Sequence, residues 1–546
     1  MILALNVTLV QAQTVYDGEE VQAQLLAAIA AGQSVFTLPP GPINLTRTLV
    51  IPPGTRNFTM QGQSGTRLVR NSTVDFGLVA VGSAGWHAFS NSAFSAMRQS
   101  SVAPILEGDA ALTFAGGQPV VPGWYCILGT DPANDIVTSY GGGTTYNFRR
   151  ELVRVKSVSG STIVLDGPVG RDFNTPELRL VEADTALPNQ RLVCQGITLR
   201  NLILDGKSSI NNSKLSKIVV AGLTNGLLID DVSVQNFNVS GISVLMSKGI
   251  SVNRMRQSAG NLATTGYGIE FDATRFATVR NSTFSQTRTG ILWACGSMDG
   301  LVEDCSGPVN FDASHGMGEQ RITYRRCLGA AFTIANPSFR RGVDRVLIED
   351  CTATDQITIY GNSSNVVIRG KYPGQAITTP IIYLGTEVGG GCVPSAPSYP
   401  LSVTLEGGVC TRSDQDGANL RQFSLLGAPK MLGNLTIKNW TFRNLVSTNG
   451  SNISFEETAN SPIVNIENCQ FTNTYEWSAP IYLGTTTTGN LWNLTLRNNS
   501  FQTAGTNALM LALGASAAWL NEGNSINQTP VTVANVRNPG GLQPAN

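Results

Sequence analysis

Ile197-Thr-Leu-Arg-Asn201, Leu227-Leu-Ile-Asp-Asp231, Ile250-Ser-Val-Asn-Arg254 and Ala277-Thr-Val-Arg-Asn281 repeat one five-residue pattern: apolar, any, apolar, polar, polar. It continues in Gly300-Leu-Val-Glu-Asp304, Ile322-Thr-Tyr-Arg-Arg326, Val346-Leu-Ile-Glu-Asp350 and Val366-Val-Ile-Arg-Gly370, with a step of roughly 20 to 30 residues, the length of one solenoid coil. It resumes at Leu435-Thr-Ile-Lys-Asn439, Val464-Asn-Ile-Glu-Asn468 and Leu494-Thr-Leu-Arg-Asn498. A strand this short buries one face only if the next coil stacks on it, about 4.8 Å away. The expected fold is therefore all-β: a right-handed parallel β-helix with inward apolar ladders. Asn and Asp at the last pattern position fit the coil corners, where the left-handed conformation is tolerated.

Bulk properties agree. The chain has 546 residues, 57 of them Gly, and only 14% are charged. Short Val, Ile, Leu and Thr runs alternate with Gly, Asn, Asp and Ser, as in strands and turns. Acidic and basic residues balance at 37 each, which argues against nucleic acid as a partner. No run approaches the roughly 20 apolar residues of a membrane span, so no membrane insertion is expected.

Four regions follow. Residues 1–85 hold a cap and the first coils. Glu19-Glu-Val-Gln-Ala-Gln-Leu-Leu-Ala-Ala-Ile-Ala-Ala31 before Gly32 reads as a helix that plugs the open end of the core. Residues 86–190 lose the period and read as a small inserted β-domain, with a hairpin from Glu151–Val158 through Ser159-Gly-Ser161 to Thr162–Asp166. Residues 191–505 form the main β-helix, and 506–546 a C-terminal cap and extended tail of the kind that wraps a neighbouring subunit. The apolar run Met1–Val10, followed by Gln11-Ala12, has features of a signal peptide, but no Lys or Arg precedes it and it is short for export. The nine cysteines form no CxxC pair and no repeated framework, so they read as mostly reduced. Cys305, Cys327 and Cys351 each follow the repeat pattern and should stack as a small apolar column rather than as a metal site. No metal and no cofactor is expected.

Asp17 through the helix to Val35-Phe-Thr-Leu-Pro-Pro-Gly41, then Leu49-Val-Ile-Pro-Pro-Gly54, Phe58-Thr-Met-Gln-Gly62 and Thr66-Arg-Leu-Val69, resembles the entry segment of the pectate-lyase superfamily β-helices. The hairpin around Ser157-Val-Ser-Gly160 is similar to an insertion in that superfamily's phage tailspike and appendage members. The resemblance covers roughly residues 15 to 370. It implies a homotrimer that binds or cleaves polysaccharide or lipopolysaccharide, with other virion proteins as partners. Fold alone does not give chemistry. The polygalacturonase Asn-Thr-Asp and paired-Asp motifs are absent, as are the pectate-lyase Asp-His pair and calcium carboxylates, and Ser314-His-Gly-Met-Gly318 only faintly resembles a Gly-His-Gly motif.

Candidate chemistry rests on side chains that face outward from neighbouring coils. In Gly268-Ile-Glu-Phe-Asp272, Ile269 and Phe271 should point inward, leaving Glu270 and Asp272 outside, about 7 Å apart. Two coils later, Asp312 and His315 should lie about 10 Å along the axis. Glu270, Asp272, Asp312 and His315 are the catalytic candidates, and Glu319, Arg340 and Arg341 the substrate-binding ones. Two carboxylates about 7 to 9 Å apart suit inverting glycoside hydrolysis, whereas a lyase would use His315 or Arg341 as base or enolate stabiliser. The bland alternative makes Glu270 and Asp272 solvated strand residues paired with Arg288 or Arg275, and His315 a turn residue. His87 reads as structural. Trp124, Trp293, Trp440, Trp477 and Trp492 are sugar-stacking or core residues, Trp293 being core.

Three readings stand. The preferred one, a tailspike-like polysaccharide binder or depolymerase on a virion, is favoured by reduced cysteines, the weak export signal and the insertion. A purely structural surface rod and a secreted bacterial polysaccharide lyase or hydrolase are the others.

Overall fold

The computed structural model describes residues 14–544 apart from 73–75, 83–97, 101–102, 115–119, 131–135, 138–145, 148–149, 174–175, 181–191, 208–216, 261–265, 313–317, 335–342, 362, 374–379, 386–399, 413–424, 429–432, 446–450, 459–460, 474–478, 487–489, 514 and 538–541. His87, His315, Arg340, Arg341 and Trp477 lie outside the described residues.

The chain folds as a right-handed parallel β-helix. Each coil gives a strand to each of three faces. The repeat pattern makes the first face: Ile197 pairs with Leu227, Leu227 with Ile250, and Ile250 with Ala277, all in parallel. The chain then turns onto a second face, where Leu202 pairs with Val232. The third face runs through Leu49–Ile51, Val79–Gly82, Lys217–Gly222, Ser240–Leu245, Tyr267–Asp272, Thr289–Ala294 and Asn310–Asp312. Alternate residues of all three faces point inward into one continuous apolar core. Burying each such Val, Ile or Leu is worth about 1.5–3 kcal/mol.

The first corner is a single left-handed residue. Asn201, Asp231, Asn281, Asp304 and Asp350 have φ between 51° and 57°, a region Asn and Asp enter more cheaply than other side chains. Arg254 and Arg326 also stand there, and each is tied to an aspartate, Arg254 to Asp230 at 2.6 Å and Arg326 to Asp304 at 2.8 Å. Just past the corner, Cys305, Cys327 and Cys351 stack as a buried column. Each thiol donates to the carbonyl two residues earlier at 3.3 Å. Trp293, Trp440 and Trp492 are core residues, and Trp124 packs half-buried on the inserted domain's core.

The helix Gly18–Ala30 closes the N-terminal end. Asp17 caps it, accepting Glu19 N–H at 2.8 Å. Val21, Leu25 and Ala28 face the core, while the Gln22 amide bonds both the N–H and the carbonyl of Val50, satisfying an edge strand. No helix among the described residues is long and apolar enough to cross a membrane.

The inserted segment contains a six-stranded antiparallel sheet whose strands lie between Arg98 and Leu180. Its hairpin pairs Arg150–Ser159 with Thr162–Leu165 around Gly160, at φ 58°. The solenoid continues across the insertion, because Cys194–Asp205 stacks on Arg56–Gln61 and Arg67–Arg70. At the other end, the segment read as an extended tail adds rungs instead. Val536 pairs with Leu509, and Leu542 with Ala517. Leu509, Leu511 and Val536 are buried, so the apolar ladder draws this segment into the stack.

Candidate functional site

Glu270 and Asp272 project outward from the third face, because Ile269 and Phe271 fill the core beneath them. Phe271 stacks on Trp293 of the next rung at 4.5 Å, fixing the strand from inside. Gly268 allows this register: a Cβ there would lie 2.5 Å from the Gly290 carbonyl and 2.7 Å from the Phe284 ring.

The two carboxylates are not solvated strand residues. Glu270 is 9% exposed and Asp272 4%, and the inserted domain packs on the neighbouring flank. Tyr125, Ile127 and Leu152 of the insert pack with Leu223, Leu245, Met246 and Ala273 of the solenoid. Of the expected arginine partners, Arg275 is engaged elsewhere. Arg275 pairs with Glu151 and Asp299, and Arg288 donates to the Tyr267 hydroxyl at 3.4 Å. Lys217, two rungs earlier, is a cationic partner of Glu270 at 2.7 Å. Ser240 Oγ donates to the same carboxylate oxygen at 2.7 Å, and Lys217 also donates to Ser243 Oγ at 2.9 Å. Lys217 and Ser240, both donors to Glu270, favour its anionic form.

Asp272 stands in the opposite environment. Burial, with the negative charge of Glu270 beside it, pushes its carboxyl up to about 8. Its Oδ2 is buried and meets no hydrogen-bond donor among the described residues. The Cys295 thiol, raised well above its usual range by burial and by Asp272, sits beside this carboxyl. Lys217 is held protonated: burial pulls its ammonium down, and Glu270 and Asp272 more than restore it. Tyr267 is pushed up to about 12, by burial first.

Asp312 lies in the column of Glu270 with Leu292 between them, two strand spacings or about 10 Å away. Glu319 is buried rather than displayed on the flank. It accepts the Gly296 N–H at 3.1 Å, bracing the corner after Cys295, whose Gly296 carbonyl takes Arg171 of the insert. The fold thus gathers Glu270, Asp272 and Asp312 on one face, with Glu319 at its corner. Lys217, Ser240, Tyr267 and Cys295 complete the cluster and were missed from the sequence. The available signal was register, since Lys217, Ser240 and Tyr267 occupy one column.

The chain has the fold of phage tailspikes. The tailspike gp61 of Pseudomonas phage phi297 superposes with TM-score 0.53 at 15% identity, over 90% of this chain and 75% of that one. The tailspike gp49 of Pseudomonas phage LKA1 superposes with TM-score 0.51 at 14% identity, over 91% and 77%. No family model matches the sequence, and no curated protein matches it.

Proposed function

We propose that this chain is a tailspike-like virion protein that binds a bacterial surface polysaccharide along its third face and hydrolyses it with Glu270 and Asp272. The observation that carries the reading is a pair of buried carboxylates on one strand in opposite environments, Glu270 held by Lys217 and Ser240, which favour its anion, and Asp272 with an Oδ2 that meets no donor among the described residues, its carboxyl pushed up by burial. Glycoside hydrolysis uses this division of labour. Asp272 gives its proton to the glycosidic oxygen as the bond to the anomeric carbon breaks. Glu270 takes a proton from the water whose oxygen attacks that carbon. One water is consumed, and proton exchange with solvent resets both groups. Elimination is less well served, because Lys217 is committed to Glu270. Homotrimerisation, attachment to other virion proteins and lipopolysaccharide as the glycan belong to the same reading. The near-complete burial of Asp272 favours a second one, in which the face holds a glycan without cutting it.

The test is reducing-end release, with ultraviolet absorbance of unsaturated products read in parallel, on purified capsules and lipopolysaccharides. Wild type, Glu270→Gln and Asp272→Asn are compared, with circular dichroism to confirm folding. Release without new absorbance, lost in both variants, is the expected result. Glycan retention with no release from wild type would move the conclusion to binding alone.

A further inference from the structure

The outward residues of the third face continue past the carboxylates as one register-locked column. It runs Glu270, Leu292, Asp312, Thr333, Thr358, Tyr383, Gly427, Ser454 and Tyr482, each pairing with the next. The flanking residues Ile382, Leu384, Ile481 and Leu483 are buried, so the two tyrosines face outward. At the strand spacing, Tyr383 stands about 24 Å from Glu270, and Tyr482 about 14 Å farther.

The chemistry changes along this column. Between Thr333 and Tyr482 it carries no formal charge, only hydroxyls, aromatic rings and a glycine, and a cation, Arg537, returns two rungs past Tyr482. Thr333, Tyr383, Ser454 and Tyr482 are half-buried, each keeping part of its surface open. Tyr383 is braced edge-on by Tyr360, with ring centroids 6.0 Å apart at 75°. Tyr360 in turn lies flat against Gly385, where an added Cβ would come within 2.1 Å of its ring. A ring fixed in this way loses little freedom when a ligand stacks on it. Gly427 and Ser454 keep the space between the two tyrosines low.

We propose that Tyr383 and Tyr482 are sugar-stacking platforms of an extended subsite that takes a neutral stretch of polysaccharide laid along the solenoid axis. This rests on the reading of the Glu270 face as a glycan site, and it names the class of polymer. Pyranose rings offer an apolar C–H face to an aromatic ring and a rim of hydroxyls to Thr and Ser. Uronate or sialate residues would need cations that the stretch from Thr333 to Tyr482 lacks.

The experiment uses the full chain on an array of purified bacterial capsular and O-antigen polysaccharides, including neutral and acidic repeats. Wild type is compared with Glu270→Gln, the Tyr383→Ala/Tyr482→Ala pair, the corresponding Tyr→Phe pair, and Ser454→Trp, which obstructs the column without removing a ring. On neutral glycans retained by wild type and by Glu270→Gln, the Ala pair and Ser454→Trp should bind about tenfold more weakly, and the Phe pair as wild type. If the Ala pair and Ser454→Trp bind normally while wild type still releases reducing ends, the subsite fails and the cleavage reading stands. If they lose binding while wild type releases nothing, the subsite stands and cleavage fails. Retention confined to acidic glycans, or no retention of any glycan by wild type, overturns the proposal.

Discussion

Asp272 keeps its proton because ionising it would place a second negative charge beside Glu270 in a buried site. In the unfolded chain an aspartate titrates near 3.9, roughly four units lower, whereas in the fold Asp272 titrates at about 8. Between those values the folded form holds a proton that the unfolded form has released. Stability should therefore fall as pH rises from about 4 through about 8. Asp272→Asn should flatten that slope, read as the urea midpoint at several pH values in wild type and variant. An unchanged slope would contradict the assignment. Glu270→Gln acts differently, leaving the Lys217 ammonium without its carboxylate in a largely buried place. It should cost on the order of 3 kcal/mol, checked by the same denaturation curves at neutral pH. The outward direction of Glu270 and Asp272 was legible from the alternation with Ile269 and Phe271. Their burial was not, because alternation along one strand says which side a residue faces and nothing of what packs over that side. The Lys217 partnership, across 53 residues, needed the register of three coils.

At the scale of the strand, the fourth position of the repeat pattern forms a ladder whose charge alternates from rung to rung. Arg280, Glu303, Arg325, Glu349, Arg369 and Glu406 follow one another, then Lys438, Glu467, Arg497 and Glu522. Neighbours meet at distances from 2.8 to 3.8 Å. The groups are largely half-exposed, so each pair contributes little alone. Glu303→Lys would set a cation between Arg280 and Arg325. The expected loss is about 1–2 kcal/mol, shrinking in high salt, measured by denaturant melts at two ionic strengths. At the adjoining corner, Asn468 has φ 54°. Asn468→Val should cost about 1–2 kcal/mol and Asn468→Gly little. The corner was readable in the pattern's final Asn and Asp, and the alternating signs stood in the same quoted segments without being read.

On the scale of the whole molecule, the insert is clamped to the rod by charge. Arg275 joins Glu151 and the Pro168 carbonyl of the insert to Asp299 of the solenoid. Glu107 of the insert bridges Arg321 and Arg345 at 2.8 and 2.7 Å. Arg275→Ala strands the buried Glu151 carboxylate. Limited proteolysis should then cut within residues 98–180 faster than in wild type, while the rod persists. Equal cleavage of both proteins would show that apolar packing alone holds the insert. The solenoid was legible because its period repeats in the sequence. The final rungs were not, because Leu509, Ala517 and Val536 sit among Asn, Pro and Gly and carry no copy of the pattern in the register of the ladder. The alternating ladder also bears on how such a long stack assembles. A chain of near-identical coils can loop one out and dock the next in its place, and apolar ladders barely distinguish the two outcomes. Skipping a coil would set Arg280 against Arg325, or Glu303 against Glu349, so the error carries its own repulsion.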